Sequence, residues 1–146
     1  MNKFQIKVDT REQKGYNIKG SVSSKLDTGD YSIVGLENVF AIERKSLSDA
    51  WKSFTTDHER FKRELERAKN FKVFDILIEA SPEEFMTPYY SGREIHPNCL
   101  KGMINKWRKY YGVNFVFCKS RARGKKYVED RLKSLYEEYI LGLWEE

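Results

Sequence analysis

The chain has 146 residues, of which 40% are hydrophobic and 34% charged, which is one ordinary domain with a real core and a densely ionised surface. Lys and Arg (27) outnumber Asp and Glu (22), for a net charge of +5, a balance that favours a polyanionic partner. Two cysteines (Cys99, Cys118) and two histidines (His58, His96) exclude a disulfide framework and argue against a thiolate or imidazole metal site. The opening MNKFQIKVDTRE holds no apolar signal region, and no run approaches the ~18 apolar residues of a membrane span. An intracellular protein with reduced thiols and no membrane partner is the expectation, cytoplasmic in a bacterium or phage and nuclear in a eukaryote.

Phe4, Ile6 and Val8 alternate with Lys3, Gln5 and Lys7, so a first strand runs to about Asp9. Residues 14–29 are mostly polar with three glycines and read as loop. Asp30–Val34 and Val39–Lys45 read as two strands joined by the four-residue hairpin loop Gly35–Asn38. If Val34 faces Val39, Asp30 lies opposite Glu43, and directly opposed Cβ atoms sit ~4.5–5.5 Å apart. Glu43 and Lys45 are two residues apart and share a face.

A helix is expected after Lys45, where Ser46-Leu47-Ser48-Asp49 approximates a capping box. Thr56-Asp57-His58-Glu59 fits that pattern fully and predicts a second helical start, followed by Phe61, Leu65, Ala68 and Phe71 at helical spacing. Val73–Glu79 reads as a central strand buried on both faces. With the helical crossover of about 25 residues before it, it makes a parallel βαβ unit. Ser81–Asn98 holds all three prolines and is expected to be irregular. Asn98–Tyr111 reads as a helix ending at Gly112, Val113–Lys119 as a last strand, and Gly124–Leu143 as a long helix. The order β, ββ, α, β, α, β, α predicts a mixed α/β sheet covered by helices, in one domain over 1–146.

Asp30 opposite Glu43 is unfavourable unless something lies between two like charges. A divalent cation removes that repulsion. Mg²⁺ takes oxygen ligands and keeps several waters, so two or three carboxylates suffice. Lys45, on the face of Glu43, is placed to position or help deprotonate an attacking water and offset phosphate charge. Asp9 joins as a ligand if the first strand lies alongside. The chemistry indicated is metal-assisted hydrolysis of a phosphodiester. The plainer readings are that each acid is a solvated strand-end residue, that Asp49 only completes the cap of Ser46, and that Glu12 pairs with Arg11 or a nearby Lys.

A second feature is the stretch from Lys101 to Lys126, with nine basic residues and no acidic one, so the rest of the chain is net negative. Lys101, Lys106, Arg108, Lys109, Lys119, Arg121, Arg123, Lys125 and Lys126 predict an anion-binding face that grips backbone phosphates. Residues 121–126 lead into a helix start, where N–H groups also favour phosphate. The plainer reading is a solvated helix face and loop. Tyr89-Tyr90 and Tyr110-Tyr111 are candidates for stacking on unpaired bases or for rim packing. Tyr139, Ile140, Leu143 and Trp144 bury a subunit contact or finish the core. His58 and His96 are expected at the surface.

The sequence Val8-Asp9-Thr10-Arg11-Glu12, then Gly29-Asp30, then Glu43-Arg44-Lys45-Ser46-Leu47-Ser48-Asp49 resembles the nuclease domain of the XPF family of structure-specific endonucleases. That family carries D-x-R-E, G-D and E-R-K-x-x-x-D in this order. The likeness extends to the Ile76–Glu79 strand, the helix with Lys106 and Trp107, and the closing basic helix. It implies a restriction-endonuclease-like fold and Mg²⁺- or Mn²⁺-dependent cleavage of branched, flap or junction DNA. By the same resemblance Asp30 and Glu43 are the principal metal ligands and Lys45 the catalytic lysine. Asp9, Glu12, Arg44 and Asp49 are the supporting residues. Family members usually continue into tandem helix-hairpin-helix motifs, and many carry a helicase module. The sequence to Glu146 shows neither, so a free-standing nuclease domain is expected, with a homodimer or a separate partner supplying DNA targeting. The competing readings are a non-catalytic DNA-binding subunit and a restriction-type nuclease acting on duplex DNA.

Overall fold

The sheet is organised on β4 (Phe40–Ser46) and β5 (Val73–Glu79), which pair in parallel over their whole length, Phe40 opposite Val73 and Ser46 opposite Glu79. The computed structural model describes residues 3–12, 15–90 and 92–145. β3 (Tyr31–Ile33) runs antiparallel to β4, and β1 (Ile6–Asp9) antiparallel to β3. β8 (Asn114–Phe117) is parallel to β5. The predicted loop over 14–29 contains a further strand, β2 (Val22–Ser24), parallel to β1 at the sheet edge. Three residues are too short for a period-two signal, and edge strands are commonly this brief. Gln13 and Lys14, also in the predicted loop segments, lie outside the described residues. The six strands run in the order β2-β1-β3-β4-β5-β8.

Tyr31 pairs with Ile42 and Ser32 with Ala41, the hairpin register expected from Val34 facing Val39. Asp30 precedes β3 and donates its N–H to the Ile42 carbonyl at 2.9 Å, so the paired register ends at Tyr31 and Asp30 lies beside the Ile42–Arg44 segment of β4. β4 to β5 is the expected parallel unit, crossing over through α1 (Leu47–Phe54) and α2 (His58–Ala68). α3 (Pro82–Phe85) and the small hairpin β6 (Tyr89–Tyr90) with β7 (Arg93–Glu94) occupy the proline-rich excursion. α4 (Pro97–Tyr111) then leads into β8, and α5 (Arg121–Ile140) closes the described chain.

Helix boundaries differ where caps or turns decide them. α2 starts after Asp57 with no side-chain cap, not after Thr56. The N–H groups of Thr55 and Asp57 both donate to the Lys52 carbonyl, so the end of α1 closes the turn and moves the start by one residue. α5 starts three residues before Gly124 because Ser120 Oγ accepts the Arg123 N–H. It ends before Leu143, where Gly142 turns with φ 77°. α4 ends at Gly112 as expected.

Alternation along β4 sorts its residues onto two layers. Ala41 packs in the core made with α1, α2 and α4 (Trp51, Phe54, Phe61, Leu65, Trp107). Phe40 and Ile42 pack in the core made with α5 (Val128, Leu132, Leu135). Among the described residues no helix is long and apolar enough to cross a membrane.

Candidate active site

Because β4, β5 and β8 run parallel, their carboxyl ends share one edge, the usual place for a crevice in such sheets. The Asp9 N–H donates to the Asp30 carbonyl at 2.9 Å, which brings the end of β1 to the same edge. Gly29 makes the close approach possible. Its φ is +90°, and a Cβ there would meet the Ala41 Cβ at 2.9 Å, so only glycine lets the chain lie on β4 and deliver Asp30.

A cavity of about 460 Å³ opens at this edge, lined by Glu12, Asp30, Glu43, Lys45, Asp49 and Glu64 among others. The Asp30 carboxylate accepts the Arg44 N–H at 2.8 Å. Burial, with the charge of Glu12 added, pushes Asp30 from its ordinary 3.8 to about 7. Burial and the neighbouring Asp30 and Glu64 hold Glu43 well above the usual carboxylate range. Lys45 Nζ lies 3.5 Å from Glu43 Oε2 and 4.8 Å above the Phe61 ring.

Alternation splits the Glu43-Arg44-Lys45 triplet. Glu43 and Lys45 face α2, whereas the Arg44 side chain points to the α5 layer. There its guanidinium grips Glu79 twice, Nε at 2.9 Å and Nη2 at 3.1 Å. It also stands 3.9 Å from Glu12 and 4.4 Å from the centroid of Tyr16. The Tyr16 hydroxyl donates a short hydrogen bond to the same Glu79 carboxylate. Gly124 must lack a side chain here, since a Cβ would meet the Tyr16 hydroxyl at 2.0 Å.

Residues 7–130 match the family model described as the ERCC4 domain. The chain belongs to the ERCC4-domain family. Its resemblance to XPF-type nuclease domains is thereby shown, and the fold agrees. XPF from Aeropyrum pernix matches with a TM-score of 0.72 and 20% identity, over 96% of this chain and 69% of that one. The same protein in complex with DNA matches with a TM-score of 0.72 and 19% identity, over 92% and 66%. No curated protein matches. The restriction-endonuclease-like mixed sheet expected of the family is the observed one.

In this ERCC4 domain the remaining candidate residues are placed as follows. Asp9 reaches the edge and lines the cleft beside Asp30 and Glu43, and its carboxylate accepts the Leu26 N–H (2.8 Å) and Arg11 Nε (3.1 Å), so it also orders the loop after β1. Glu12 is half-buried, and its Oε2 has no hydrogen-bond partner; burial raises its carboxyl. Ser46 Oγ accepts the Asp49 N–H at 3.1 Å, so the backbone of Asp49 completes the cap while its carboxylate lines the cleft.

The basic stretch 101–126 does not form one face. Lys101, Lys106, Arg108 and Lys109 lie on α4, in one layer, and Arg121, Arg123, Lys125 and Lys126 on α5, in the other. α4 runs about 22 Å at 1.5 Å per residue, away from the cleft edge. Arg108 and Lys109 end beside Gly112 and Asn114, at the opposite end of the strands. Arg121 is held near the cleft, its Nη2 donating to the Gly15 carbonyl at 2.6 Å, and Lys126 pairs with Asp130. Among the tyrosines, Tyr90 packs on Trp51, Tyr110 lies under Lys69 and Tyr89 is exposed. Trp144 and Tyr139 pack on Phe40, so they finish the core, while Ile140 and Leu143 are exposed. His96 caps α4, and the His58 ring packs at a tilt against Trp107.

Sequence reasoning missed Glu64, Glu79 and the arginines of α2. Glu64 is one turn after Phe61, the residue under Lys45, and its Oε1 is buried without a hydrogen-bond partner. That helical spacing from an apolar position was the available signal. Glu79 ends a buried strand opposite Ser46, and only the sheet register brings it to Arg44.

Proposed function

We propose that the chain is a divalent-metal-dependent DNA endonuclease that hydrolyses phosphodiester bonds in branched, flap or junction DNA. The observation that carries this reading is the neighbouring Asp30–Glu43 pair, part-buried at the cleft edge with both carboxyls pushed up and Lys45 alongside. Membership of the ERCC4-domain family supports it, as does the likeness to an XPF solved with DNA.

Among the described residues no three His, Cys, Asp or Glu side chains are assembled into a metal cage, so the fit to Mg²⁺ or Mn²⁺ rests on the chemistry of the carboxylates. The acidic groups that line the cleft, Glu12, Asp30, Glu43, Asp49 and Glu64, offer carboxylate oxygens, the ligands a hard cation takes. Such a cation keeps most of its waters and needs only one or two carboxylates, which Asp30 and Glu43 supply. The unpartnered Glu64 oxygen beside them suits a water in that shell. The cation, when bound, would make a bound water easier to deprotonate and offset charge on the phosphate. Lys45, desolvated against Phe61 and Glu43, offsets charge on the phosphate oxygens. Arg44 is committed to Glu79 and Glu12, and its backbone N–H fixes Asp30, so it is a positioning residue.

Cleavage of a flap, a fork and a linear plasmid is compared with Mg²⁺ and Mn²⁺, for the native chain and for Asp30→Asn. The flap and fork are cut, the plasmid is not, and the variant cuts none. Undiminished cleavage by Asp30→Asn sinks the assignment, and binding of branched DNA without any cleavage by the native chain makes it a non-catalytic subunit.

A further inference from the structure

Arg60, Arg63 and Arg67 recur at i, i+3 and i+7 on α2 and so share one face. The face is exposed to solvent at all three residues. It lines a second cavity of about 410 Å³, whose other walls are Arg11, the Asp27–Asp30 turn and the carboxylates Glu43 and Glu64. The two cavities share Arg11, Asp30, Glu43, Arg60 and Glu64, so the carboxylate centre sits midway along one groove. Each half is in the size range that holds a small ligand, which is enough for a nucleotide.

We propose that this arginine row, with Arg11 facing it, is the phosphate track for an unpaired DNA strand on one side of the cleavage point. The inference deepens the nuclease reading and rests on it for the place where the strand is cut. The row spans about 10 Å along the helix axis, room for consecutive phosphates of an extended strand. Among the described residues none of the three arginines makes an ion pair, although Glu59, Glu64 and Glu66 lie on the same helix. Arg67 is already oriented, its Nε donating to Thr28 Oγ1 at 3.3 Å and its Nη1 to the Arg63 carbonyl at 3.4 Å. Arg11 is fixed from the other wall by Asp9 and by the Leu26 carbonyl at 2.6 Å. Forked guanidinium groups held in this way suit phosphate oxygens.

The carboxylates opposite decide what passes. Asp9 is paired with Arg11. With Asp30 and Glu43 the pair that a cation neutralises, Arg60, Arg63 and Arg67 face the carboxylates Asp27 and Glu64, so the wall keeps a surplus of one positive charge. Asp30 and Glu43 are recessed between the α2 wall and the strand edge. On the branched-DNA reading the strand that enters this groove is the one that has left its duplex partner, so the track takes the unpaired arm.

The test measures affinity of the full chain, carrying Asp30→Asn to prevent cutting, for a labelled 20-nucleotide dT strand and a duplex of equal length. Fluorescence anisotropy is read across a series of salt concentrations in Mg²⁺. Adding Arg63→Gln and Arg67→Gln is expected to weaken dT binding tenfold or more and to lower the salt slope by about 0.7 for each phosphate no longer neutralised. Duplex affinity is expected to change less than twofold. Arg63→Lys with Arg67→Lys keeps the charge and is expected to retain the slope, which a purely structural role would not produce. If the glutamine pair impairs folding by circular dichroism, Arg60→Gln with Arg63→Gln leaves the Thr28 hydrogen bond intact and gives the same readout. Unchanged dT affinity and slope, or equal losses for dT and duplex, overturn the track. Loss of dT binding by the variant, with no cleavage by the native chain, sinks the nuclease reading and leaves the track standing.

Discussion

Two acidic centres lie on neighbouring strands of the same sheet and are handled in opposite ways. Asp75 of β5 is fully buried, yet it receives Tyr127 Oη at 2.6 Å, Asn114 Nδ2 at 2.8 Å and Arg131 Nε at 2.9 Å. Three donors and one opposite charge compensate its desolvation and tie α5 to the sheet. One register step away, Glu43 has the Lys45 ammonium at 3.5 Å, and Asp30 has one backbone N–H. A buried carboxylate that the protein satisfies itself serves the fold. A pair that the protein leaves short of partners is the place for the cation proposed above.

The largest expected effect is on chemistry. Glu43→Gln removes a proposed cation ligand, and several kcal/mol of transition-state stabilisation goes with it, roughly a thousandfold or more in cleavage rate. Thermal melts without metal should show no loss of stability, because a repulsion is removed as well. A variant that unfolds while still cutting flap DNA would put Glu43 in the same class as Asp75.

Asp75→Ala should do the reverse. Arg131, Tyr127 and Asn114 lose their acceptor in the interior, at a cost of about 3–5 kcal/mol in urea unfolding. Protein that stays folded at low temperature should cut at the native rate. A small stability change would show that α5 is held by its apolar face alone.

The pH dependence separates the centres more gently. The folded state raises Asp30 from 3.8 to about 7, so between those values the native chain binds more protons than the unfolded one. The contribution of this group to stability therefore falls as pH rises from about 4 to about 7. Mg²⁺ added at pH 7 should recover the lost melting temperature, and Asp30→Asn should flatten the trend. A metal-free melting temperature that falls equally through this window in the native chain and in the variant removes Asp30 as the source of the trend.

The smallest effect tests Asp49. Ser46→Ala deletes the acceptor for its N–H and should cost about 1 kcal/mol, with cleavage retained. Asp49→Asn keeps the cap and should lower cleavage without moving the melting temperature, if its carboxylate serves the cleft.

Much of this was legible along the chain. The period-two pattern and the hairpin length gave the pairing of Tyr31 with Ile42 and Ser32 with Ala41 and so brought Asp30 near Glu43, because register in a short hairpin is a local matter. Ser46 as a cap and Gly112 as a stop were legible for the same reason. Edge strand β2 was not, since three residues carry no period. Nor was the division of the basic stretch between two layers, because charge counted along a sequence carries no information about which side of a sheet a helix packs on. The arginines of α2 were hidden by the apolar stripe that marked the helix as core packing.

By itself, then, the sequence determined the strand-end carboxylates, the hairpin register and the family motif, all of which depend on neighbours a few residues apart. Only the tertiary structure decided how those groups are used. It turned Arg44 away to Glu79, tied Asp9 to a loop as well as to the cleft, and brought Glu64 and three arginines of α2 to the cleft. Those outcomes depend on contacts between strands and helices remote in sequence, and on which buried charges the packing supplies with partners.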